Sequence, residues 1–135
     1  MIFKSKLPIQ VRMTDLDTFG HVNNGVYYSY YDIGRFHYLT LIKEDIRWDV
    51  LSMVIVRTEI DFKESIHFED DISVETKMLE MGNKSYKMMQ RIIDNNTGNI
   101  KSTCICILCG FDRKNNTSKE IPQDFKDRVL AFEAI

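Results

Sequence analysis

The sequence predicts an α+β fold in which one long, curved antiparallel sheet wraps around a central buried helix. Two observations lead to this prediction. Residues 25–43 form one helical segment that is unusually rich in apolar side chains, and the second half of the 135-residue chain contains four strand-like segments. Tight turns join antiparallel neighbours, and a very apolar helix needs a sheet to cover it. One domain over residues 1–135 is expected.

The first half of the chain is predicted to form a strand, a loop and the long helix. Residues 8–13 alternate apolar and polar, as a half-buried strand does. After a loop with two aspartates, Asn23 and Asn24 offer side-chain oxygens where the helix begins. Apolar residues surround the helix axis instead of forming one stripe, so we expect burial over most of its circumference.

Four long strands are predicted to follow the helix, because apolar residues recur at every second position. We expect tight turns to join the four strands, which makes them successive antiparallel neighbours. Pro122 marks the start of a short terminal helix. The strands are assigned to residues 53–63, 72–81, 85–94 and 100–113.

Composition argues against several classes of partner. The net charge is −2 with acids and bases dispersed, whereas nucleic-acid binders usually present a basic excess or a basic face. No apolar run approaches the roughly 18 residues of a membrane-spanning helix. The first residues also lack the pattern of a secretory signal. We therefore expect a cytoplasmic protein without nucleic-acid or membrane partners.

Three cysteines lie close together in the last predicted strand, at positions 104, 106 and 109. Thiolate clusters bind zinc, so a metal site has to be considered. Strand alternation places Cys109 on the opposite face from Cys104 and Cys106, and neither a second cysteine pair nor a histidine lies nearby in the sequence. We expect small buried hydrophobic residues here and predict no metal site.

The loop before the helix brings together the groups that acyl hydrolysis needs. Asp15, Asp17 and His21 lie within seven residues, directly before the first free N–H groups of the helix. Those N–H groups and the helix dipole suit the negative charge that develops on a carbonyl oxygen. A nearby carboxylate can take a proton from water or attack the carbonyl carbon itself.

The run Asp15–Asn24, which reads DLDTFGHVNN, resembles the motif of the 4-hydroxybenzoyl-CoA thioesterase family. The family pattern is approximately D-x-D-x-x-G-H-V-N-N-x-x-Y, then an acid and an arginine, which Asp32 and Arg35 match. The predicted order of elements is similar to the hotdog fold of that family over nearly the whole chain. The resemblance implies a thioesterase that acts on acyl-CoA or acyl carrier protein and needs no cofactor.

The resemblance also implies roles for the matching residues. Asp17 corresponds to the catalytic carboxylate, acting as nucleophile or general base, and Asn24 to the position whose backbone N–H polarises the thioester carbonyl. His21 is placed near the substrate with its role left open. Family sites form between two subunits, so a homodimer or homotetramer is expected. Substrate binding is assigned to Gly20, Asn23, Tyr27, Lys84 and Ser85.

Several of these residues have simpler interpretations. Asp15 alone is favoured as a turn residue or a partner for Arg12. Asp32 either pairs with Arg35 on the helix or serves as a reserve catalytic acid. His67 is expected to be a solvated turn residue.

Two other functions stay open at this stage. A hotdog hydratase or dehydratase would pair Asp17 with His21, and a non-catalytic module would bind acyl thioesters without turnover. The acyl group is not specified by the sequence. Neither is the choice among the cations that would hold coenzyme A phosphates, which are Lys63, Lys84, Lys87, Arg91 and Arg113.

Overall fold

The structure is a computed structural model that describes residues 1–42 and 53–134. Strand β1 and a short 3₁₀ helix precede the long helix α1, four long strands follow, and a two-residue strand leads to the terminal helix α2. The bounds are β1 Ser5–Ile9, the 3₁₀ helix Met13–Asp15, α1 Val26–Ile42, β2 Met53–Phe62, β3 Ile72–Met81, β4 Ser85–Asp94, β5 Ile100–Asp112, β6 Thr117–Ser118 and α2 Gln123–Glu133.

The strands form one antiparallel sheet in the order β1-β3-β4-β5-β2, and β6 pairs with the end of β5. The long helix packs against this sheet, so the predicted α+β class with a curved hotdog sheet is confirmed. None of the helices in the described ranges is long and apolar enough to cross a membrane.

The first strand lies earlier in the chain than the alternation at residues 8–13 predicted. β1 pairs with β3 from Ser5, opposite Thr76, to Ile9, opposite Ile72. Because β3 begins at Ile72, the chain beyond Ile9 has no strand to pair with. The backbone instead turns into the 3₁₀ helix, where the N–H of Arg12 donates to the side-chain carboxylate of Asp15 at 3.0 Å.

The expectation of four successive neighbours is correct only for β3, β4 and β5. Strand β2 does not pair with β3 but with β5, on the other side of the sheet, and this makes β2 an edge strand. The nine residues 63–71 carry the chain from one side to the other. We call this segment the 63–71 connection. The partner of β2 could not be read from local alternation, which identifies strands but not their neighbours.

Helix α1 is buried on one face only, so the predicted burial around its circumference is wrong within this chain. Gly34 marks the closest approach to the sheet, since a Cβ atom there would lie 2.5 Å from Cγ1 of Val74. Tyr31 and Tyr38 on the same face are fully buried. The opposite face exposes large apolar side chains, namely Tyr28, Ile33, Phe36 and Leu41.

A buried polar network fixes the helix on the sheet. Gln90 of β4 is fully buried, accepts a hydrogen bond from Arg35 at 2.9 Å and donates to the Tyr31 carbonyl at 2.9 Å. The Tyr31 hydroxyl donates to Ser102 Oγ at 2.6 Å. Because each of these buried groups has a partner, burial carries little desolvation penalty and the network specifies one position for the helix.

The cysteines behave largely as predicted. Cys104 and Cys106 are buried in the core, and Cys109 lies on the other face of β5, where it is partly exposed. Burial raises the pKa of the Cys104 thiol to about 12. The thiol therefore stays protonated, as a core side chain does.

Candidate active site

The loop between the 3₁₀ helix and α1 is closed by backbone hydrogen bonds. Asp17 N–H donates to the His21 carbonyl at 2.7 Å, and Gly20 N–H donates to the Asp17 carbonyl at 3.2 Å. Gly20 has a φ of +80°, which an L side chain rarely adopts, so glycine is required for the turn. Gly20 therefore shapes the loop, and its role in substrate binding stays a prediction.

The Asp17 carboxylate is fixed by one oxygen and leaves the other one free. Its Oδ1 accepts hydrogen bonds from the backbone N–H groups of Phe19 at 2.9 Å and His21 at 3.2 Å. In the described part of the chain, Oδ2 has no hydrogen-bond partner. The side chain is only partly buried, so Oδ2 can accept a proton from a water molecule.

The start of α1 leaves one backbone donor unused. Asn23 Oδ1 caps the helix by accepting from Gly25 N–H at 2.8 Å. The N–H groups of Asn23, Val26 and Tyr27 also donate to backbone carbonyls. Among the residues that the structure describes, the N–H of Asn24 has no acceptor. It is therefore available to a ligand oxygen at the positive end of the helix dipole.

Asp17 and Asn24 line the same cavity, whose volume is about 170 Å³. Pockets that enclose a whole small ligand usually measure roughly 300–1,000 Å³. This cavity therefore suits the reacting end of a larger substrate. Its other lining residues are His21, Val22, Tyr27, Phe62, Lys63, Glu64 and Ser65.

The 63–71 connection forms the second wall of this cavity and holds the loop in place. Val22 N–H donates to the Ile66 carbonyl at 2.8 Å, and His21 forms a β-bridge with His67. The two imidazole rings meet edge to face, with centroids 4.8 Å apart. Tyr27 is buried against Phe62, with ring centroids 4.9 Å apart.

His67 is therefore more than the solvated turn residue that the sequence predicts. It is partly exposed, as expected, but its ring contacts the predicted site residue His21. The two residues lie far apart in the sequence and in different loops. Neither alternation nor a motif relates two such loops, so no local signal indicates the contact.

An ion pair between buried Lys101 and partly buried Asp70 supports the connection. The Asp70 carboxylate accepts the N–H of His67 at 2.8 Å and lies 3.6 Å from Nζ of Lys101. Burial by itself would raise the pKa of Asp70, but this hydrogen bond and the Lys101 charge outweigh it and hold the pKa below the usual value of 3.8. Asp70 is thus ionised at neutral pH.

Asp15 is a structural acid, as its predicted pairing with Arg12 indicates. Its carboxylate accepts the backbone N–H of Arg12 at 3.0 Å, the Arg12 guanidinium at 2.9 and 3.2 Å, and the Tyr30 hydroxyl at 2.7 Å. Burial opposes ionisation, yet these hydrogen bonds prevail and lower the pKa of Asp15 below 3.8. Asp15 does not line the cavity.

The reserve acid Asp32 also lies outside the Asp17 cavity. It forms the predicted ion pair with Arg35 on α1. Together with Arg113, the pair lines a separate cavity of about 290 Å³ between α1 and the sheet. Asp32 therefore has no part in the arrangement of Asp17 and Asn24 within one chain.

Two of the predicted substrate-binding residues lie far from the other six predicted site residues. Lys84 and Ser85 are at the start of β4, and Ser85 pairs with Cys109 near the end of β5. The connection at the Asp17 cavity bonds to Lys101, at the beginning of β5. The ten residues of β4 span about 30 Å. One chain thus does not bring Lys84 and Ser85 to Asp17.

The candidate phosphate-binding cations differ in their availability. Lys63 lines the cavity and makes no ion pair with any residue in the described ranges. Lys87 pairs with Glu80 at 3.2 Å, and Arg91 pairs with Glu75 at 2.8 Å.

In the part of the chain that the structure describes, no cluster of three or more His, Cys, Asp or Glu side chains is arranged to hold a metal ion.

Comparison with solved structures finds similar chains along the whole length. A thioesterase from Thermus thermophilus, complexed with coenzyme A and zinc, shares 26% identity with a TM-score of 0.88, over 98% of this chain and 96% of that one. A predicted thioesterase from Bacillus stearothermophilus shares 24% identity with a TM-score of 0.85, over 94% of each chain.

A more distant structure has the same fold. The 1,4-dihydroxy-2-naphthoyl-CoA thioesterase Slr0204 from Synechocystis shares 14% identity with a TM-score of 0.83, over 93% of this chain and 94% of that one. No curated protein matches the chain. The model of the thioesterase-like superfamily matches residues 11–129, a range that contains both the Asp17 loop and the 63–71 connection. The chain therefore belongs to the thioesterase-like superfamily.

Proposed function

We propose that this protein hydrolyses the thioester of an acyl-CoA, or of an acyl group on acyl carrier protein, to a free acid and a thiol without a cofactor. One observation carries the proposal. Asp17, which has a carboxylate oxygen without a hydrogen-bond partner in the described part of the chain, and Asn24, whose N–H has no acceptor there, line the same cavity at the start of a helix. Membership of the thioesterase-like superfamily supports the same reaction class.

The two groups have complementary tasks in hydrolysis. The thioester carbonyl oxygen accepts the Asn24 N–H, and the helix dipole stabilises the negative charge that develops on it. Asp17 Oδ2 takes a proton from a water molecule while the water oxygen attacks the carbonyl carbon. The tetrahedral intermediate then expels the thiolate, which recovers the proton from Asp17. Direct attack by Asp17, forming an anhydride that water cleaves, fits the same placement.

Coenzyme A is the proposed thiol because the Thermus relative is complexed with it and because Lys63 lies at the cavity. A single lysine neutralises little of the charge that the phosphates carry. Lys84, with Ser85, is the proposed second contact, and a second copy of the chain would have to supply it. The active form is therefore proposed to be a homodimer or a homotetramer.

The edge strand β2 supports this assembly. Its outer edge has no partner strand in the described part of the chain, and it exposes large apolar side chains, Val54, Ile55, Val56 and Phe62. An unpaired apolar edge favours pairing with another strand. We expect Val56→Lys to give a monomer without activity in light scattering and thioester assays. Leu130→Lys on α2 is the matched control, because Val56 and Leu130 are 61% and 60% exposed. An active Val56→Lys monomer would contradict the assembly.

The activity is tested by thiol release across a panel of acyl-CoA substrates. We expect turnover of at least one substrate and its loss in Asp17→Asn. The control is Asp71→Asn, at an exposed acid that does not line the cavity. Hydration of an enoyl-CoA without thiol release would indicate a hydratase instead. Tight binding without turnover on any substrate would indicate a binding module.

The role of Asn24 is tested separately, because it depends on the backbone and not on the side chain. Asn24→Ala keeps the N–H and should keep most of the activity. Asn24→Pro removes the N–H and should lower kcat by about 10²–10³-fold, as for other donors to a developing oxyanion. Circular dichroism should be the same for both variants. Equal activity of the two folded variants would exclude this backbone donor.

A further inference from the structure

We infer that Lys101, Asp70 and His67 form a positioning chain that aims the Asp17 carboxylate by way of His21. The inference rests on the proposed function for its catalytic meaning, but its structural part can be tested independently. It assigns a role to three residues outside the loop motif. None of them donates to or accepts from the free oxygen of Asp17, so they are positioning residues and not catalytic ones.

The chain of contacts begins at Lys101, near the start of β5. Lys101 is a buried lysine, only 9% exposed, which is unusual for this residue type. Its ammonium group donates to the Ser65 carbonyl at 3.1 Å and lies 3.6 Å from carboxylate oxygens of Glu64 and Asp70. All three partners belong to the 63–71 connection. Lys101 therefore attaches that connection to the sheet.

Asp70 links Lys101 to His67, because it contacts both residues. Its Oδ2 accepts the His67 N–H at 2.8 Å and lies 3.6 Å from Nδ1 of the His67 ring. The Asp70 N–H in turn donates to the His67 carbonyl at 3.1 Å. These contacts close a tight turn and fix the backbone from which the His67 ring projects.

His67 reaches the catalytic loop through His21. The rings meet edge to face at an interplanar angle of 88°, and the same two residues form a β-bridge. His21 then contacts Asp17 twice, since its N–H donates to Asp17 Oδ1 and its carbonyl accepts the Asp17 N–H. Any displacement of His21 thus moves the carboxylate directly.

Such support matters most at the tip of the loop, which is exposed. Thr18, Phe19 and Gly20, the residues at its tip, are all exposed. Few buried contacts and an exposed backbone are properties of segments that open locally. Hydrolysis depends on the distance between Asp17 and the carbonyl that Asn24 holds, and a misplacement of about 1 Å can cost on the order of 10²-fold in rate.

The structural part is tested by amide hydrogen exchange in Asp70→Ala. We expect faster exchange for the Asp17, His21 and Val22 amides, while the amides of β4 and β5 exchange as in the wild type. Asp71→Ala is the matched control and should leave the loop unchanged. Uniformly faster exchange in Asp70→Ala would indicate a global stability effect and would overturn the inference, as would unchanged loop amides.

The catalytic part is tested by steady-state kinetics of His67 variants. His67→Ala should lower kcat about tenfold or more with KM changed less than about twofold, because the carboxylate is misplaced while substrate binding persists. His67→Phe retains an aromatic edge against His21 and should restore most of kcat. His37→Ala, at the third histidine, is the control. If His67→Phe is as impaired as His67→Ala, or if KM alone changes, the positioning role is wrong.

The two proposals fail in different ways. If the wild-type protein hydrolyses no thioester but Asp70→Ala loosens the loop selectively, the proposed function is wrong and the contact chain is correct. If thioesters are hydrolysed and Asp17→Asn is inactive, but Asp70→Ala leaves loop exchange and kcat unchanged, the proposed function holds and the positioning chain does not exist.

Discussion

Asp15 and Asp17 are two residues apart, yet their carboxylates have opposite environments. Asp15 is 2% exposed and its two oxygens accept four hydrogen bonds from Arg12 and Tyr30. Asp17 is partly exposed, lines the cavity and accepts two backbone N–H groups with one oxygen, while its other oxygen has no hydrogen-bond partner in the described part of the chain. The fold thus saturates one carboxylate with hydrogen bonds and leaves the other with one unbonded oxygen.

The difference shows that two acids of one loop can have separate tasks, one in anchoring the loop and one that is open to chemistry. The Asp15 carboxylate has no lone pair left to accept a transferred proton. Its hydrogen bond from Tyr30 attaches the loop to helix α1. A half-saturated carboxylate is oriented and can still act as base or nucleophile. Because Asp15 and Asp17 are only two residues apart, the hydrogen bonds that anchor Asp15 also restrict the position of Asp17.

The largest expected effect that tests this comparison is on catalysis. Asp17→Asn keeps an acceptor for the Phe19 and His21 N–H groups but removes the basic oxygen. We expect kcat to fall by about 10²–10⁴-fold, the usual contribution of a positioned acid–base group, with little change in Tm. Thioester kinetics and thermal unfolding on the same preparation measure both. A large drop in Tm would show that Asp17 is as structural as Asp15.

The next effect is on stability. Asp15→Asn removes the charge that the Arg12 guanidinium and the Tyr30 hydroxyl bond to, and it brings an amide donor toward groups that are donors themselves. We expect the free energy of unfolding to fall by about 2–3 kcal/mol, since hydrogen bonds to a buried charged group are among the stronger ones. Urea unfolding measures it. Unchanged stability, or a loss of kcat in the folded protein as large as that of Asp17→Asn, would contradict the comparison.

The fold was largely predictable from the sequence, apart from its non-local pairings. Alternation and turn residues correctly located β3, β4 and the body of β5, because side-chain periodicity in a half-buried strand is a local property. Strand order is not local, so β2 was expected beside β3 and instead pairs with β5. The one-sided burial of α1 likewise depends on which surface the sheet covers.

The candidate site was predictable only in its motif. The resemblance to the family motif implies that Asp17 and Asn24 share a site, and the loop and the helix that it enters are neighbours by sequence. The contact between His21 and His67 depends on the path of the 63–71 connection and has no sequence signal. Lys101 also gave no signal, since its burial follows from three oxygen partners that lie far from it in the sequence.

A smaller effect is expected for the hydroxyl that anchors Asp15. Tyr30→Phe removes the 2.7 Å hydrogen bond and keeps the ring that packs in the core. We expect a loss of about 1–2 kcal/mol in unfolding free energy, below that of Asp15→Asn, because the Arg12 contacts persist. Urea denaturation of the two single variants and the double variant gives the coupling. Additive losses would mean that Tyr30 stabilises the core independently of Asp15.

The smallest expected effect is the pH dependence of the Asp15 contribution. Its pKa is lowered in the folded protein relative to the usual 3.8, so the ionised form stabilises folding. The contribution is complete above the unfolded-state pKa of about 3.9 and is lost as pH falls through the lower folded-state pKa. The gap in unfolding free energy between wild type and Asp15→Asn should therefore be constant from about pH 7 to pH 5 and shrink below about pH 4. Asp70, whose pKa is also lowered, titrates alike in both proteins and cancels in the difference. A gap that is independent of pH down to about pH 2 would mean that Asp15 stabilises the loop by shape and not by its charge.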